Sequence, residues 1–333
     1  MTKDAPPMAI YYEHPDWFRP LFAELDKRGV PYVPIDARCH QYDVSETVRE
    51  YALLFNRMSP SAFLRGKNHG IFYTLSYLAH LERTGTRVIN GREAFTMETS
   101  KALQLSLLES LGLPYPRARV INCAAEAPNA ARGLRFPVVV KANVGGSGAG
   151  VVRYDTMETL ERAAAEESIE LGIDSTALVQ EFIPARDGHI NRVETLGGKF
   201  LYAIKVYTTG ESFNLCPADI CQTTDGVELA RGACPVDAPK SGLKVEGYTP
   251  PAEIVEAVER IVQTAGIDVG GVEYMVDDRD GTLVYYDINA LSNFVADAPR
   301  VVGFDPFARL ADFLEQEAEK CATDTGSRFS AAG

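Results

Sequence analysis

Short apolar runs alternate with longer amphipathic segments over residues 1–95. The runs MAIYY, VPYVPI and YALLF are rich in β-branched, aromatic and aliphatic residues, and such runs are typical of strands. Between the first two, DWFRPLFAELDKRG spaces its apolar residues as a helix does and stops at Gly29. A strand–helix–strand rhythm predicts a parallel sheet covered by helices, so we expect an α/β lobe here.

The pattern then changes to strands that read as hairpins. A helix is predicted over residues 96–112, capped by Thr96, with an apolar stripe of Leu103, Leu107, Leu108 and Leu111. After a Gly-rich loop comes the helix DTMETLERAAAEES, in which Asp155 and Glu158 have capping-box spacing. Two hairpins follow, HINRVETLGGKFLYAIKVY and VGGVEYMVDDRDGTLVYYDIN, and then a closing helix, DPFARLADFLEQEAEK. The small polar tail 322–333 is predicted to be disordered.

Composition narrows the class of protein. The net charge of −13 argues against a general nucleic-acid binder, which needs a basic face. No apolar run reaches the ~18 residues of a membrane span, and the N-terminus has no signal-peptide pattern. The six cysteines form no C-x-x-C pair, so a zinc site is not indicated. We therefore expect a cytoplasmic protein that binds neither membranes nor nucleic acids.

The stretch KANVGGSGAG, residues 141–150, joins two strand-like runs through a Gly-rich turn. It is not a Walker A loop or a dinucleotide fingerprint, because the lysine precedes the glycines and no helix follows. Glycines let backbone N–H groups approach an anion, and Lys141 would add a positive charge. The loop alone fits a phosphate-binding flap and a merely mobile hairpin about equally.

The last hairpin carries two acidic residues. A turn centred near Asp280 would place Glu273 directly opposite Asp287, and strand alternation would put Asp287 and Asn289 on one face with Leu283 and Tyr285. Opposed carboxylates destabilise a bare sheet, but with an Asn oxygen they suit Mg²⁺. The alternative is an exposed acidic hairpin.

The order and spacing of these pieces resemble the ATP-grasp superfamily, and within it the RimK-like carboxylate–amine ligases. The resemblance rests on SKALQLSLLESLGLPYPRARVI, FPVVVKANVGGSGAGV, ALVQEFIP, GGVEYMVD and YYDINALSNF. It implies an α/β and α+β fold in which two α+β lobes clasp ATP behind an N-terminal α/β (preATP-grasp) lobe. The expected boundaries are 1–95 for the N-terminal lobe, 96–182 for the central lobe with the flap, 183–321 for the C-terminal lobe with the metal site, and 322–333 for the tail.

The resemblance also implies roles for individual residues. Lys101 and Lys141 would grip the ATP phosphates under a flap formed by Gly145, Gly146, Ser147 and Gly148. The adenine would lie against Glu181, Phe182 and Ile183.

The remaining implied roles concern the metal and the reacting groups. The ligands of one or two Mg²⁺ ions, with Mn²⁺ as an alternative, would be Glu273, Asp287 and Asn289. Catalytic roles would fall to Lys141, Arg192 and Asn214, and Arg57 would contact the acid substrate.

The activity implied is ATP-dependent amide or peptide bond formation through an acyl phosphate, on an amino acid, a small peptide or a related metabolite. Two alternatives stay open, namely a small-molecule kinase on the same scaffold and a non-catalytic nucleotide-binding protein. The family's acidic residue before the strand arginine is replaced by Ile190-Asn191, which leaves the ribose contact open. The acid, the amine, the pathway, the oligomeric state and the role of residues 208–249 are not readable from the sequence.

Overall fold

The computed structural model describes residues 7–14, 16–65, 70–145, 150–207, 221–222 and 244–329. Three sheets, of four, five and five strands, organise this part of the chain. Among the described residues, no helix is long and apolar enough to cross a bilayer.

The first sheet is parallel throughout, as alternating strands and helices require. Its strands are β1 (Met8–Tyr12), β2 (Tyr32–Asp36), β3 (Leu53–Arg57) and β4 (Arg87–Ile89). Its helices are α1 (Arg19–Arg28) and α2 (Gly70–Arg83). Tyr12 pairs with Arg57, so β1 and β3 end at the same edge of the sheet.

The second sheet contains the two strands on either side of the Gly-rich stretch. Its strands are β5 (Ala118–Ile121), β6 (Val138–Ala142), β7 (Val151–Tyr154), β8 (Ala177–Glu181) and β11 (Cys221–Gln222), and α5 (Ala127–Ala131) and α6 (Met157–Ala165) belong to the same region. The strands β6 and β7 are antiparallel and Lys141 pairs with Val151, as a hairpin around the turn requires. Thr156, with Thr159, caps α6, so the prediction that Asp155 caps it is wrong. The Thr156 side chain accepts a hydrogen bond from the third backbone N–H of the helix, that of Thr159. Asp155 lies one residue before this capping position.

The third sheet is antiparallel. Its strands are β9 (His189–Leu196), β10 (Lys199–Tyr207), β12 (Val245–Tyr248), β13 (Val269–Val276) and β14 (Leu283–Asn289). Helix α7 (Ala252–Thr264) packs on its face through Ile254, Val258, Ile261 and Val262, which recur at the helical period. Helices α8 (Ala298–Val302) and α9 (Pro306–Phe329) follow. Because α9 continues to Phe329, most of the tail predicted to be disordered is helical, since extending an existing helix costs far less than starting one. Residues 330–333 lie outside the described part.

The predicted register of the last hairpin is confirmed, since Glu273 pairs with Asp287. The predicted alternation is wrong, because a β-bulge interrupts it: Tyr274 pairs with Tyr285, which leaves Tyr286 as the extra residue. Tyr285 packs in the cluster under α7, whereas Tyr286 packs on the opposite side of the sheet. The bulge therefore moves Asp287 to the face that Tyr286 shares, away from Tyr285.

The helix predicted over residues 96–112 is two helices. Helix α3 (Arg92–Glu98) ends at Thr99, and α4 (Lys101–Ser110) begins after Ser100, whose side chain accepts from Leu103 N. The cap is thus Ser100 and not Thr96, whose hydroxyl donates instead to the Arg92 carbonyl inside α3. The break places Lys101 in the first turn of a new helix.

One apolar cluster draws on all three sheets. It contains Phe55 from the first sheet, Val139 and Val151 from the second, and Ile204 and Met275 from the third. Burial of this kind is the main stabilising contribution to a fold. The shared cluster therefore packs the sheets against one another around the region described next.

Candidate active site

A row of charged side chains crosses three neighbouring strands of the third sheet. Glu273 on β13 pairs on one side with Arg192 on β9 and on the other with Asp287 on β14. All three residues are at most 9% exposed. Charged groups are rarely buried unless they are paired or bind a ligand, so this row marks a candidate site.

Glu273 is held on both oxygens. Arg192 Nη1 donates to Oε1 over 2.9 Å, and the Tyr286 hydroxyl donates to Oε2 over 2.6 Å. Burial raises the pKa of Glu273, and the nearby Asp287 raises it further, while Arg192 opposes both effects. A positive ion beside the two carboxylates would relieve this cost of burying them together.

Asp287 lies among positive charges. Lys101 Nζ donates to Oδ1 over 2.8 Å, and Asn289 Nδ2 donates to Oδ2 over 3.2 Å. Burial would raise the pKa of Asp287, but Lys101, Lys141 and Arg192 together hold it below its usual value. Asp287 is therefore ionised at neutral pH, as a cation ligand must be.

Two lysines on different elements act on this carboxylate, Lys101 through a hydrogen bond and Lys141 through its charge. Lys101 starts α4, and its side chain spans from the helix to β14. Lys141 lies on β6 between Val151 and Leu178 of the adjacent strands, and it is 8% exposed. The structure thus brings together Lys101, Lys141, Arg192, Glu273, Asp287 and Asn289, all of which the sequence singled out.

The donor set at the row fits Mg²⁺. Glu273, Asp287 and the Asn289 amide offer hard oxygen ligands, and an ionised carboxylate has enough lone pairs to bind a cation while it also accepts a hydrogen bond. Within the described residues, no group of three or more His, Cys, Asp and Glu is placed to hold a metal. Two carboxylates and an amide are the sparse set that Mg²⁺ takes when phosphates complete its coordination.

Two glycines allow the strands to approach at this point. A Cβ at Gly270 would lie 2.4 Å from the Asn289 carbonyl oxygen, and a Cβ at Gly271 would lie 2.8 Å from Glu194 Oε2. A side chain at position 270 would collide with the backbone of Asn289, and one at position 271 would push the Glu194 carboxylate aside, so the two glycines keep Asn289 and Glu194 close to β13.

Arg57, predicted to contact the acid substrate, lies at the joint between the first and third sheets. Its Nη2 donates to the Ser292 carbonyl over 2.5 Å and to Asn293 Oδ1 over 2.9 Å. Burial lowers the pKa of Arg57 to about 9, while Glu194 and Glu98 act in the opposite direction. Its Nε and Nη1 have no hydrogen-bond partner among the described residues, so this buried side chain still has donors to offer.

The predicted adenine linker lies at the end of β8. The Glu181 carboxylate accepts from Arg135 N over 2.9 Å and from Arg117 over 3.3 Å, so its side chain is engaged within the protein. The Phe182 ring lies under the Arg153 guanidinium, 4.7 Å from it, and Ile183 is buried in the apolar cluster that the three sheets share. An apolar wall beside strand-end backbone groups suits a planar base.

Four predicted residues lie outside the described part of the chain. They are Gly146, Ser147 and Gly148 of the flap, and Asn214. Gly145, at the start of the turn, is buried. The roles of these five residues stay predictions.

The structure adds polar residues that the sequence reading missed. Glu194 accepts from Arg192 Nε over 2.6 Å, and Glu98 accepts from the Ala290 backbone N–H beside Asn289. Burial raises the pKa of Glu98 to about 7. Tyr286 enters only through the bulge, and strand alternation gives no sign of it. For Glu194 the sequence did offer a signal, because it lies two residues after Arg192 on a predicted strand and so shares its face.

Known proteins resemble the chain over most of its length. No family model matches the sequence. A probable alpha-L-glutamate ligase of Aliivibrio fischeri is 28% identical over 310 residues, which covers 87% of this chain and 91% of the relative. The carbamoyl phosphate synthase large chain of Thermotoga neapolitana is 23% identical over 240 residues, which is 70% of this chain. The chain spans only 20% of the length of that relative.

Solved structures resemble the fold as a whole. The ATP-grasp ligase PsnB, complexed with a minimal precursor, superposes with a TM-score of 0.66 at 16% identity and covers 94% of this chain and 99% of its own. A RimK domain ATP-grasp protein from Sphaerobacter thermophilus gives 0.63 at 20% identity and covers 92% and 98%. The predicted fold and the resemblance to RimK-like proteins are therefore confirmed.

Proposed function

Because this chain has the ATP-grasp fold and a probable alpha-L-glutamate ligase is among its relatives, we propose that it is an ATP-dependent carboxylate–amine ligase. It would form an amide or peptide bond through an acyl phosphate. The three sheets support the division into lobes at 1–95, 96–182 and 183–321, with ATP between the second and third.

The observation that carries the proposal is the buried row of Arg192, Glu273 and Asp287 with the two lysines against it. Carboxylates for Mg²⁺ and lysines for phosphate oxygens are both required at a site that binds a polyphosphate with its metal. A protein that needs only a stable fold has no reason to bury this set, since burying charges costs free energy. The geometry therefore favours phosphoryl transfer over mere packing.

In the proposed reaction, an oxygen of the substrate carboxylate attacks the γ-phosphorus of ATP, and the bond from that phosphorus to the β-bridging oxygen breaks to release ADP. The amine nitrogen then attacks the acyl carbon, phosphate leaves with the C–O electron pair, and the nitrogen loses a proton. Lys101 and Lys141 would bind the phosphate oxygens and neutralise charge as it shifts to the leaving ADP.

Glu273, Asp287 and Asn289 would hold Mg²⁺, which supplies further positive charge to the phosphates when bound. Arg192 keeps Glu273 aligned through its 2.9 Å contact, and Tyr286 fixes the other oxygen of that carboxylate. The Nε and Nη1 donors of Arg57, which have no hydrogen-bond partner among the described residues, would bind the carboxylate of the acid.

The substrates we propose are an amino acid or a peptide as the acid, and an amine of the same classes. Solved neighbours include PsnB with a precursor peptide and a D-alanine–D-alanine ligase from Bacillus anthracis, so this fold serves both peptide and amino-acid ligases. Free glutamate and peptides ending in glutamate are the first acids to test.

The test is to incubate the protein with ATP, Mg²⁺ and panels of acids and amines, and to measure ADP release and the product mass. A ligase releases ADP only with both an acid and an amine, and it yields a product lighter by one water than the two together. With ¹⁸O-labelled acid, one label must appear in the released phosphate, because that oxygen becomes the bridge of the acyl phosphate.

The control is the Lys141→Ala variant, which should lose turnover while its thermal unfolding stays cooperative. A stable phosphorylated product from one substrate would instead establish a kinase. Wild-type turnover in Lys141→Ala would remove Lys141 from the site.

A further inference from the structure

Asn143 lies directly after β6, two residues beyond Lys141, and joins three segments of the chain. Its Oδ1 accepts from Ala102 N over 2.9 Å and from Ser100 Oγ over 3.2 Å, and its backbone carbonyl accepts from Lys101 N over 3.2 Å. On the other side, its Nδ2 donates to Asp174 Oδ2 over 2.7 Å. Asn143 is 7% exposed. Its side-chain amide is thus engaged at both ends.

These bonds end on the first turn of α4. The first backbone N–H groups of a helix have no partner within the helix and need one from outside. Ser100 caps one of them, and Asn143 supplies acceptors for the N–H groups of Lys101 and Ala102. The start of α4 is therefore fixed to the end of β6.

The consequence concerns the two lysines of the proposed ATP site. Lys141 is on β6 and Lys101 is the first residue of α4, and both act on Asp287. Asn143, two residues beyond Lys141, accepts hydrogen bonds from the backbone N–H groups of Lys101 and Ala102 and so connects the two segments. A shift at this connection would change the position of Lys101 relative to Lys141.

Asp174 determines which way the Asn143 amide points. An ionised carboxylate only accepts hydrogen bonds, so it must face the NH₂ group of the amide, and the amide oxygen then faces the helix. The contact of 2.7 Å is short, as expected for a charged acceptor.

We propose that Asn143, oriented by Asp174, is a positioning residue that aims Lys101 at the ATP phosphates. The inference rests on the proposed function, because it requires Lys101 to bind ATP. It does not require the identity of the acid or the amine, so it can be tested by nucleotide binding alone.

The experiment measures the dissociation constant for ATP with Mg²⁺ in wild type, Asn143→Asp, Asp174→Asn and the double variant. Asn143→Asp sets two carboxylates against each other at the 2.7 Å contact and should weaken ATP binding roughly tenfold to a hundredfold. Asp174→Asn keeps an acceptor for Nδ2, so we expect a change below about threefold.

The double variant supplies the decisive comparison. In it, one oxygen of the new carboxylate faces the helix and the other accepts from the new amide at 174, so the hydrogen bonds are restored with the roles exchanged. ATP affinity should return to within about threefold of Asp174→Asn. A double variant as weak as Asn143→Asp would overturn the role of Asp174.

A second cycle separates positioning from general stability. If Asn143 acts through Lys101, then adding Asn143→Asp to Lys101→Ala should weaken ATP binding no further, whereas effects that simply add would overturn the proposal. Wild type that binds no ATP would refute the proposed function itself. If wild type binds ATP and Asn143→Asp binds it equally tightly, only this inference is refuted.

Discussion

At the scale of single residues, the site is a balance of buried charges. Glu273 and Asp287 face each other, Arg192 and Lys101 each bond to one of them, and Lys141 adds its charge from β6. The pKa of Glu273 is raised by burial and by the charge of Asp287, whereas the pKa of Asp287 is lowered because Lys101, Lys141 and Arg192 outweigh its burial. Charge distribution, and not burial alone, sets the protonation of each carboxylate.

Asp287→Asn tests this balance without a change of shape. The amide still offers Lys101 an acceptor oxygen but removes the negative charge, so we expect ADP release to fall by about a hundredfold or more, with little change in the unfolding temperature. Steady-state ADP release and thermal denaturation measure the two effects.

The matched control is Asp278→Asn, at the turn of the same hairpin, where the side chain is 65% exposed. It should keep wild-type turnover. If both variants lose activity alike, the assignment of Asp287 is wrong.

A histidine of the first lobe predicts part of the pH dependence of stability. His40 packs against Tyr11, Tyr73 and Tyr77, and burial lowers its pKa below the usual 6.5, while Glu50 opposes this weakly. The unfolded chain then takes up the proton first, so the free energy of unfolding should fall as pH drops through about 6.5.

Urea denaturation of wild type and His40→Gln between pH 5 and pH 8 measures how much His40 contributes to the pH dependence of the unfolding free energy. The variant should lose less stability over that range than wild type does. Gln41→Ala, at the exposed neighbour, is the control and should follow the wild-type curve. Equal slopes for wild type and His40→Gln would contradict the prediction.

At the scale of elements, the site depends on how β13 and β14 meet. The bulge at Tyr286 turns Asp287 toward the lysines and lets the Tyr286 hydroxyl bond to Glu273. The adjacent glycines permit close approach, since a Cβ at Gly270 would lie 2.4 Å from the Asn289 carbonyl oxygen. The positions of the site's side chains on this hairpin therefore depend on how closely the two backbones approach.

Gly270→Ala should therefore affect both stability and turnover. The added methyl must displace Asn289, which we expect to cost about 1–3 kcal/mol of unfolding free energy and to weaken Mg²⁺-dependent turnover. Urea denaturation and the Mg²⁺ dependence of ADP release measure these effects.

Gly247→Ala provides the same steric conflict at the far edge of the sheet, where the Cβ would lie 2.4 Å from the Val301 carbonyl oxygen. It should lose comparable stability and keep the Mg²⁺ dependence of wild type. An altered Mg²⁺ dependence in Gly247→Ala alone would contradict the assignment of Asn289.

At the scale of the whole molecule, the Asn90 side chain helps to link the first lobe to the third sheet. Asn90, just after β4, donates through Nδ2 to the carbonyls of Val269 and Ala290, at 2.7 and 2.5 Å. Its Oδ1 accepts from Asp268 N and Val269 N, at 2.9 and 3.0 Å. Asn90 has a positive φ of 52°, which Asn tolerates better than most residues. It holds the start of β13 and the end of β14 against the first lobe.

Asn90→Ala leaves these buried backbone groups without partners and should cost at least about 3 kcal/mol of unfolding free energy. Denaturation followed by tryptophan fluorescence and by circular dichroism measures the loss. Asn122→Ala, at an exposed position, should change stability by less than about 0.5 kcal/mol. A small loss in Asn90→Ala would mean that the lobes are held mainly by the apolar cluster.

Much of the site could be read from the sequence, because its signals are local. The glycines after Lys141, the acidic residues of the last hairpin and the pairing of Glu273 with Asp287 follow from residue type, turn position and the two-residue period of strands. The alternation of strands and helices likewise predicts the parallel first sheet. Each of these depends on neighbours within a few residues or across one turn.

Only the tertiary structure decided the contacts between distant segments. The break after Thr99 that makes Ser100 the cap, the bulge at Tyr286, and the Asn143 bonds to α4 each depend on which elements pack together. A helix cap contributes only about 1 kcal/mol locally, so packing against remote residues decides where the helix begins. A bulge likewise depends on the strand beside it, because it inserts one residue into the pairing of two strands. The sequence by itself therefore determined which side chains carry the chemistry, and the folded chain determined where they point.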